Sequence, residues 1–178
     1  LMQPRFIDTP TLETERLILR MPTVADFAGW EVFMASARAQ FVGGAMDAGK
    51  AWRAWGHAIG HWAMRGYGTF AVVLKDEGLA IGTAGPWYPI NWPEPEIGWT
   101  LWDAKYEGRG IALEAACEAR RYVYDVLGWE TAVSYIVKGN IRSAALAERL
   151  GAVFDPDAAE PYPGEDWVYR HPAPETLA

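Results

Sequence analysis

A single cysteine, Cys117, excludes an internal disulfide. It falls within a predicted helix on an alanine-rich stretch, where it reads as a small buried apolar residue. No apolar run approaches the length needed to span a bilayer, and the N-terminus lacks a signal-peptide pattern, so no membrane association and a cytoplasmic location are expected. Positive charge is also scarce: 16 Lys and Arg stand against 23 Asp and Glu, a net charge of −7. The basic residues are scattered, with no stripe to neutralise phosphates, which argues against nucleic acid as a partner. Only 3 histidines occur. His57 and His61 are one helical turn apart but lack the glutamate of H-E-x-x-H and a third ligand, so they read as a helix face, and no metal is expected. His171 reads as part of the tail. No repeat, low-complexity tract or linker divides the 178 residues, which form one domain spanning 1–178.

Tryptophan is abundant, with 10 residues. Most should pack in the core and at its rim, a minority could line an apolar pocket, and exposed ones are candidates for a homodimer contact. Alternating residues from Glu15 to Met21 predict a first strand, followed by a short helix from Val24 to Ala35. Asp47 caps a predicted helix over residues 48–64, with Ala51, Trp55, Ala58, Ile59 and Trp62 on one face and Gly66 ending it. Thr69 to Lys75 and Leu79 to Gly85 form a hairpin. Pro86 to Pro95 reads as a loop, since its prolines oppose a central strand. Strands at Glu96–Trp102 and Thr131–Val137, helices at Gly110–Leu127 and Asn140–Leu150, and short strands at Val153–Asp155 and Asp166–His171 complete a mixed α/β arrangement.

The segment from Trp102 to Ala116 is the most informative. A strand enters a turn bearing Gly108 and Gly110, and the turn opens a helix. Helix-start amides without intrahelical partners, approached closely through glycine, suit a pyrophosphate. A nucleoside-triphosphate loop is excluded by the absence of its Lys and Ser/Thr. A dinucleotide fingerprint fits poorly: Leu113 takes the place of the third glycine, and Glu130 begins a strand where the ribose-binding acid should end one.

Glu107-Gly108-Arg109-Gly110-Ile111-Ala112 resembles the [QR]-x-x-G-x-[GA] motif of the GNAT superfamily of acyl-CoA N-acyltransferases, with Glu107 departing from the expected Gln or Arg. Downstream, Asn140, Ser143, Leu150 and Gly151 match the family's N-x-x-S strand-to-helix pattern. The run Thr14 to Arg20 is typical of the branch that includes the ribosomal-protein N-terminal acetyltransferases, and Glu96-Ile97-Gly98-Trp99 completes the order. The resemblance covers about Leu12 to Arg170. It implies a GNAT fold with a mixed, mostly antiparallel sheet, a splayed central strand pair and flanking helices. It further implies acetyl-CoA as co-substrate and transfer of the acetyl group to a primary amine, on a small molecule or a protein N-terminus, in a ternary complex. The other reading is a non-catalytic acyl-CoA sensor.

On the same basis, backbone groups of Thr100 and Trp102 would pair with the pantetheine arm, and a backbone N–H near Trp102 would face the developing oxyanion. The turn Glu107, Gly108, Arg109, Gly110, Ile111 and Ala112 would hold the pyrophosphate. Asn140 and Ser143 would contact the arm. No tyrosine follows on that helix, which leaves Ser143 as the candidate acid for the departing thiolate. Glu96 is the candidate base, and Trp87, Tyr88 and Trp92 the expected wall of the acceptor site.

Overall fold

The computed structural model describes residues 8–177. Its elements run β1 (Leu12–Glu13), β2 (Leu17–Arg20), α1 (Phe27–Met34), α2 (Ala48–Arg65), β3 (Phe70–Leu74), β4 (Leu79–Trp87), β5 (Glu96–Leu101), α3 (Ile111–Asp125), β6 (Val133–Val137), α4 (Ile141–Arg149), β7 (Val153–Phe154) and β8 (Asp166–Arg170). The strands form one 8-stranded sheet in the order β1-β2-β3-β4-β5-β6-β8-β7. Every pairing is antiparallel except β5–β6. No helix among the described residues is long and apolar enough to cross a membrane.

Two large clusters pack on the sheet, and two smaller ones seat α4 against β6, β8 and α3. Leu17, Leu19, Phe70, Ile81 and Ile97 pack with Ile111, Ala115, Ala119 and Tyr122 of α3. Trp30, Met34, Trp55 and Trp102 form the second, with Ala80 against it. Neighbouring strand residues point to opposite faces, so Ile81 and Ala80, like Leu101 and Trp102, feed different clusters. The indoles of Trp30, Trp55 and Trp102 meet at centroid distances of 5.4 to 6.2 Å. They separate α1 and α2 from the sheet.

Three expectations need correction here. First, β4 extends through Pro86 to Trp87, in the middle of the sheet. The Trp102 N–H donates to the Ile81 carbonyl at 2.9 Å, so odd-numbered β4 residues bond to β5 and Pro86 faces the β3 side. Pairing with β3 ends at Phe70↔Ala84, and no N–H is missed at position 86. Second, Cys117 is exposed. The buried line of α3 runs through Ala115, Ala116 and Ala119, and residue 117 turns away from it. Third, His57 is on an exposed helix face as expected, but His61 and His171 are buried. His61 is 3% exposed, with Nδ1 at 2.7 Å from the Tyr67 carbonyl and Nε2 accepting from the Tyr88 N–H at 3.0 Å. His171 is equally buried and lies 2.9 Å from the Ser134 hydroxyl.

Candidate active site

The sheet opens between β5 and β6. Their parallel register consists of Glu96↔Val133, supported by the Val133 N–H on the Pro95 carbonyl at 3.1 Å. One residue further, the Ser134 hydroxyl donates to the Ile97 carbonyl at 2.6 Å, in place of a ladder bond. That leaves His171 Nε2 as donor to Ser134, and burial pushes the His171 pKa down to about 3, so the ring is neutral. Past this clamp the strands part. β6 continues with β8 from Val133↔Arg170 to Val137↔Asp166, while β5 stays with β4.

A groove of about 1040 Å³ occupies one side of the opening, between the end of β5 and the starts of α3 and α4. Gly108 and Gly110 have φ of 69° and 74°, a conformation that favours glycine. Gly110 begins α3 without a side-chain cap, so the first-turn amides are free to meet an anion. Arg16, just ahead of β2, pins this turn: its Nη1 donates to the Arg109 carbonyl at 2.8 Å and its Nε to Glu114 at 2.7 Å. Burial disfavours the Glu114 charge, but hydrogen bonds from Thr14 and Arg16 outweigh it and lower the pKa. The Thr14-x-Arg16 pattern therefore has a mechanical role in holding the glycine turn.

Glu107 lies between two arginines. Arg38, from the turn Ala37–Phe41, donates to its Oε1 at 2.6 Å and also reaches the carbonyls of Leu101 and Trp102. Arg142 of α4 pairs with Oε2. The free amides and two guanidiniums suit a pyrophosphate, and the ion pairs neutralise the one carboxylate that opposes it. A phosphate entering here competes with Glu107 for both arginines. Glu107→Gln is expected to tighten coenzyme A binding about tenfold in a calorimetric titration, consistent with the small worth of exposed ion pairs.

A chamber of about 340 Å³ lies on the other side. The Thr83 and Thr100 hydroxyls meet at 2.8 Å in its lining. Phe41, Val42, Trp99, Thr100, Asn140 and Ser143 line both cavities and define their common mouth. Asn140 caps α4, its Oδ1 accepting from the Ser143 N–H at 3.3 Å. Glu96 faces the chamber. Burial raises its pKa to about 7, against the Trp92 indole N–H at 2.6 Å and helped by the charge of Asp166.

Of the expected aromatic wall, Trp87 lines the chamber, while Tyr88 and Trp92 stand outside its lining. The Tyr88 ring lies under the Arg65 guanidinium, 4.8 Å from centroid to carbon. Trp92 instead holds the Glu96 carboxylate and packs edge-on against Tyr135 and Tyr162. The Trp102 indole sits in the tryptophan cluster, and its backbone N–H donates to the Ile81 carbonyl, so a backbone donor for an oxyanion would have to come from a neighbouring position of β5. Arg109 is outside the groove lining, its carbonyl turned to Arg16. The residues missed from sequence are Arg38, Arg142 and the walls Trp30, Met34, Met46 and Trp55. Arg142 lies inside the N-x-x-S pattern and was open to notice, whereas Arg38 sits in a segment with no motif.

An acetyltransferase (GNAT) domain model matches residues 16–153. An acetyltransferase from Agrobacterium tumefaciens str. C58 is 40% identical, with 96% of this chain and 99% of that one covered and a TM-score of 0.86. A GNAT-family acetyltransferase from Bacillus anthracis is 20% identical, with 91% and 96% covered and a TM-score of 0.72. The ribosomal-protein-S5-alanine acetyltransferase of Vibrio fischeri is 17% identical, with 92% and 96% covered and a TM-score of 0.66. The latter two share the fold. With a strand pair opened between a groove and a chamber, and a family model spanning both, this chain belongs to the GNAT acetyltransferases and is an acyl-CoA-dependent enzyme.

Proposed function

We propose that the protein transfers the acetyl group of acetyl-CoA to the nitrogen of a primary amine by direct attack. The observation that carries this reading is the junction of the two cavities at Trp99, Thr100, Asn140 and Ser143. A donor held in the groove would present its thioester there to an amine in the chamber. Ile111 and Ala112 amides with Arg38 and Arg142 bind the pyrophosphate, and the backbone of β5 beyond the Ser134 clamp pairs with the pantetheine arm. The outward-facing N–H groups of the parted strand stand where an oxyanion needs donors.

Glu96 takes the proton released when the amine attacks. A carboxylate whose pKa is near neutrality is ionised at working pH yet basic enough to accept that proton. Ser143 donates to the leaving thiolate. Ser143→Ala is expected to lower kcat about tenfold at saturating amine and neutral pH; an unchanged kcat assigns Ser143 to cofactor contact only. The overall reading is tested by thiol release from acetyl-CoA over an amine panel, with the product identified by mass spectrometry. An N-acetylated product supports it. Coenzyme A binding without thiol release across the panel contradicts it and supports the sensor reading.

A further inference from the structure

We infer that the acceptor is a small arylalkyl or alkyl primary amine carrying no second charge, rather than a peptide N-terminus, a polyamine or an amino acid. The inference rests on the acetyl-transfer reading above and sets its substrate class. Trp30, Met34, Met46, Trp55 and Trp87 form the apolar part of the chamber lining, which also includes Thr69 and Thr83. Met and Trp together give an apolar, polarisable surface suited to a flat or branched hydrocarbon body.

The charge inventory is the second part. Among the described residues the lining contains no Lys, Arg or Asp, and Glu96 is its one carboxylate. An amino acid would bury its carboxylate there without a cation, a cost that binding does not recover. A polyamine would bring further ammonium groups with a single acid to neutralise them. A peptide needs partners for each of its backbone amides, and the Trp and Met walls offer none. A lone amine meets one carboxylate, and the apolar surround favours its neutral, nucleophilic form.

Size gives the third argument. At about 340 Å³ the chamber is near the small end of ligand pockets, which span about 300–1,000 Å³. Part of that space adjoins the mouth, where Asn140 and Ser143 meet the groove, and is needed for the acetyl thioester. What remains accommodates one ring or a short branched chain. His57 sits against Trp87 at 4.9 Å between centroids and is exposed, at the solvent rim.

The test compares kcat/KM of the unmodified protein, with acetyl-CoA, for 2-phenylethylamine, tryptamine and isoamylamine against spermidine, lysine and an alanine-initiated hexapeptide. The first three should exceed the others by about 100-fold, the scale set by burying a large apolar side group. Independently of turnover, 2-phenylethylamine should quench the tryptophan fluorescence of the coenzyme A complex saturably, and spermidine should not. Trp87→Ala should raise KM for 2-phenylethylamine more than it lowers kcat. A higher kcat/KM for the peptide, spermidine or lysine overturns the substrate class while acetyl transfer stands. Thiol release with no panel member overturns acetyl transfer itself, and the inference with it.

Discussion

Glu96→Gln is expected to lower kcat/KM by about 10²–10³ at pH 8, the range associated with loss of a general base. The pH profile carries the sharper signature. In the proposed mechanism catalysis needs Glu96 ionised and the amine neutral, and each fraction grows tenfold per pH unit below its own pKa. With Glu96 near 7 and an alkylamine near about 10, log kcat/KM in total amine should rise with slope 2 below neutrality and slope 1 above it. In Glu96→Gln the lower limb should fall to slope 1, because only the amine still titrates. The sign follows from burial: desolvation disfavours the carboxylate and moves its ionisation up into the neutral range, so activity gains there as pH rises. An intact slope-2 limb in the variant assigns the proton to another acceptor.

Gly82→Ala carries the largest expected effect on stability. A Cβ at Gly82 would stand 2.1 Å from the Thr100 carbonyl oxygen, backbone against backbone across β4 and β5. Neither strand can yield, because β4 is held by β3 and β5 together. The register beside Gly82 is already irregular: Val72 pairs with Gly82 and Val73 with Ala80, which leaves Ile81 of β4 as the extra residue. The cost should be about 3 kcal/mol or more, at the upper end for overpacking, which corresponds to a melting temperature lower by about 6–12 °C. Coenzyme A binding should weaken as well, since β5, the strand the new Cβ would push against, carries Trp99 and Thr100 to the mouth. Gly56→Ala is the control of opposite sign. Gly56 lies within α2 and a Cβ there meets nothing within 4 Å, so alanine should stabilise the protein by about 0.5–1 kcal/mol. Thermal denaturation of the two variants measures both.

The comparison with sequence depends on how local each signal is. Asp47 and Asn140 were legible as caps because capping uses a side chain and an amide two or three residues on. The glycine turn was legible for the same reason, through its left-handed backbone. The extension of β4 through Pro86 was not, because its tolerance depends on where a separate strand stops pairing. Glu107 was recognisable as a departure, but its partners Arg38 and Arg142 lie 69 and 35 residues away. The aromatic run after Pro86 pointed towards the acceptor side in general terms. Which ring faces the chamber was decided by packing: His61 stacks on Trp87 at 4.6 Å, while Trp92 turns to Glu96. The walls contributed by α1 and α2 carry no motif, since methionine and tryptophan on a helix read as core in either case.

The central claim is that the groove holds the donor, the chamber holds the acceptor, and reaction occurs where they meet. The most direct test is a crystal structure with acetyl-CoA. The account predicts the pyrophosphate over the Gly108–Ala112 turn, with Arg38 and Arg142 released from Glu107 towards it. It also predicts the thioester between Trp99 and Asn140, with the acetyl group facing the chamber. Coenzyme A bound outside the groove, or a thioester directed to solvent with the chamber closed off from it, would contradict the account.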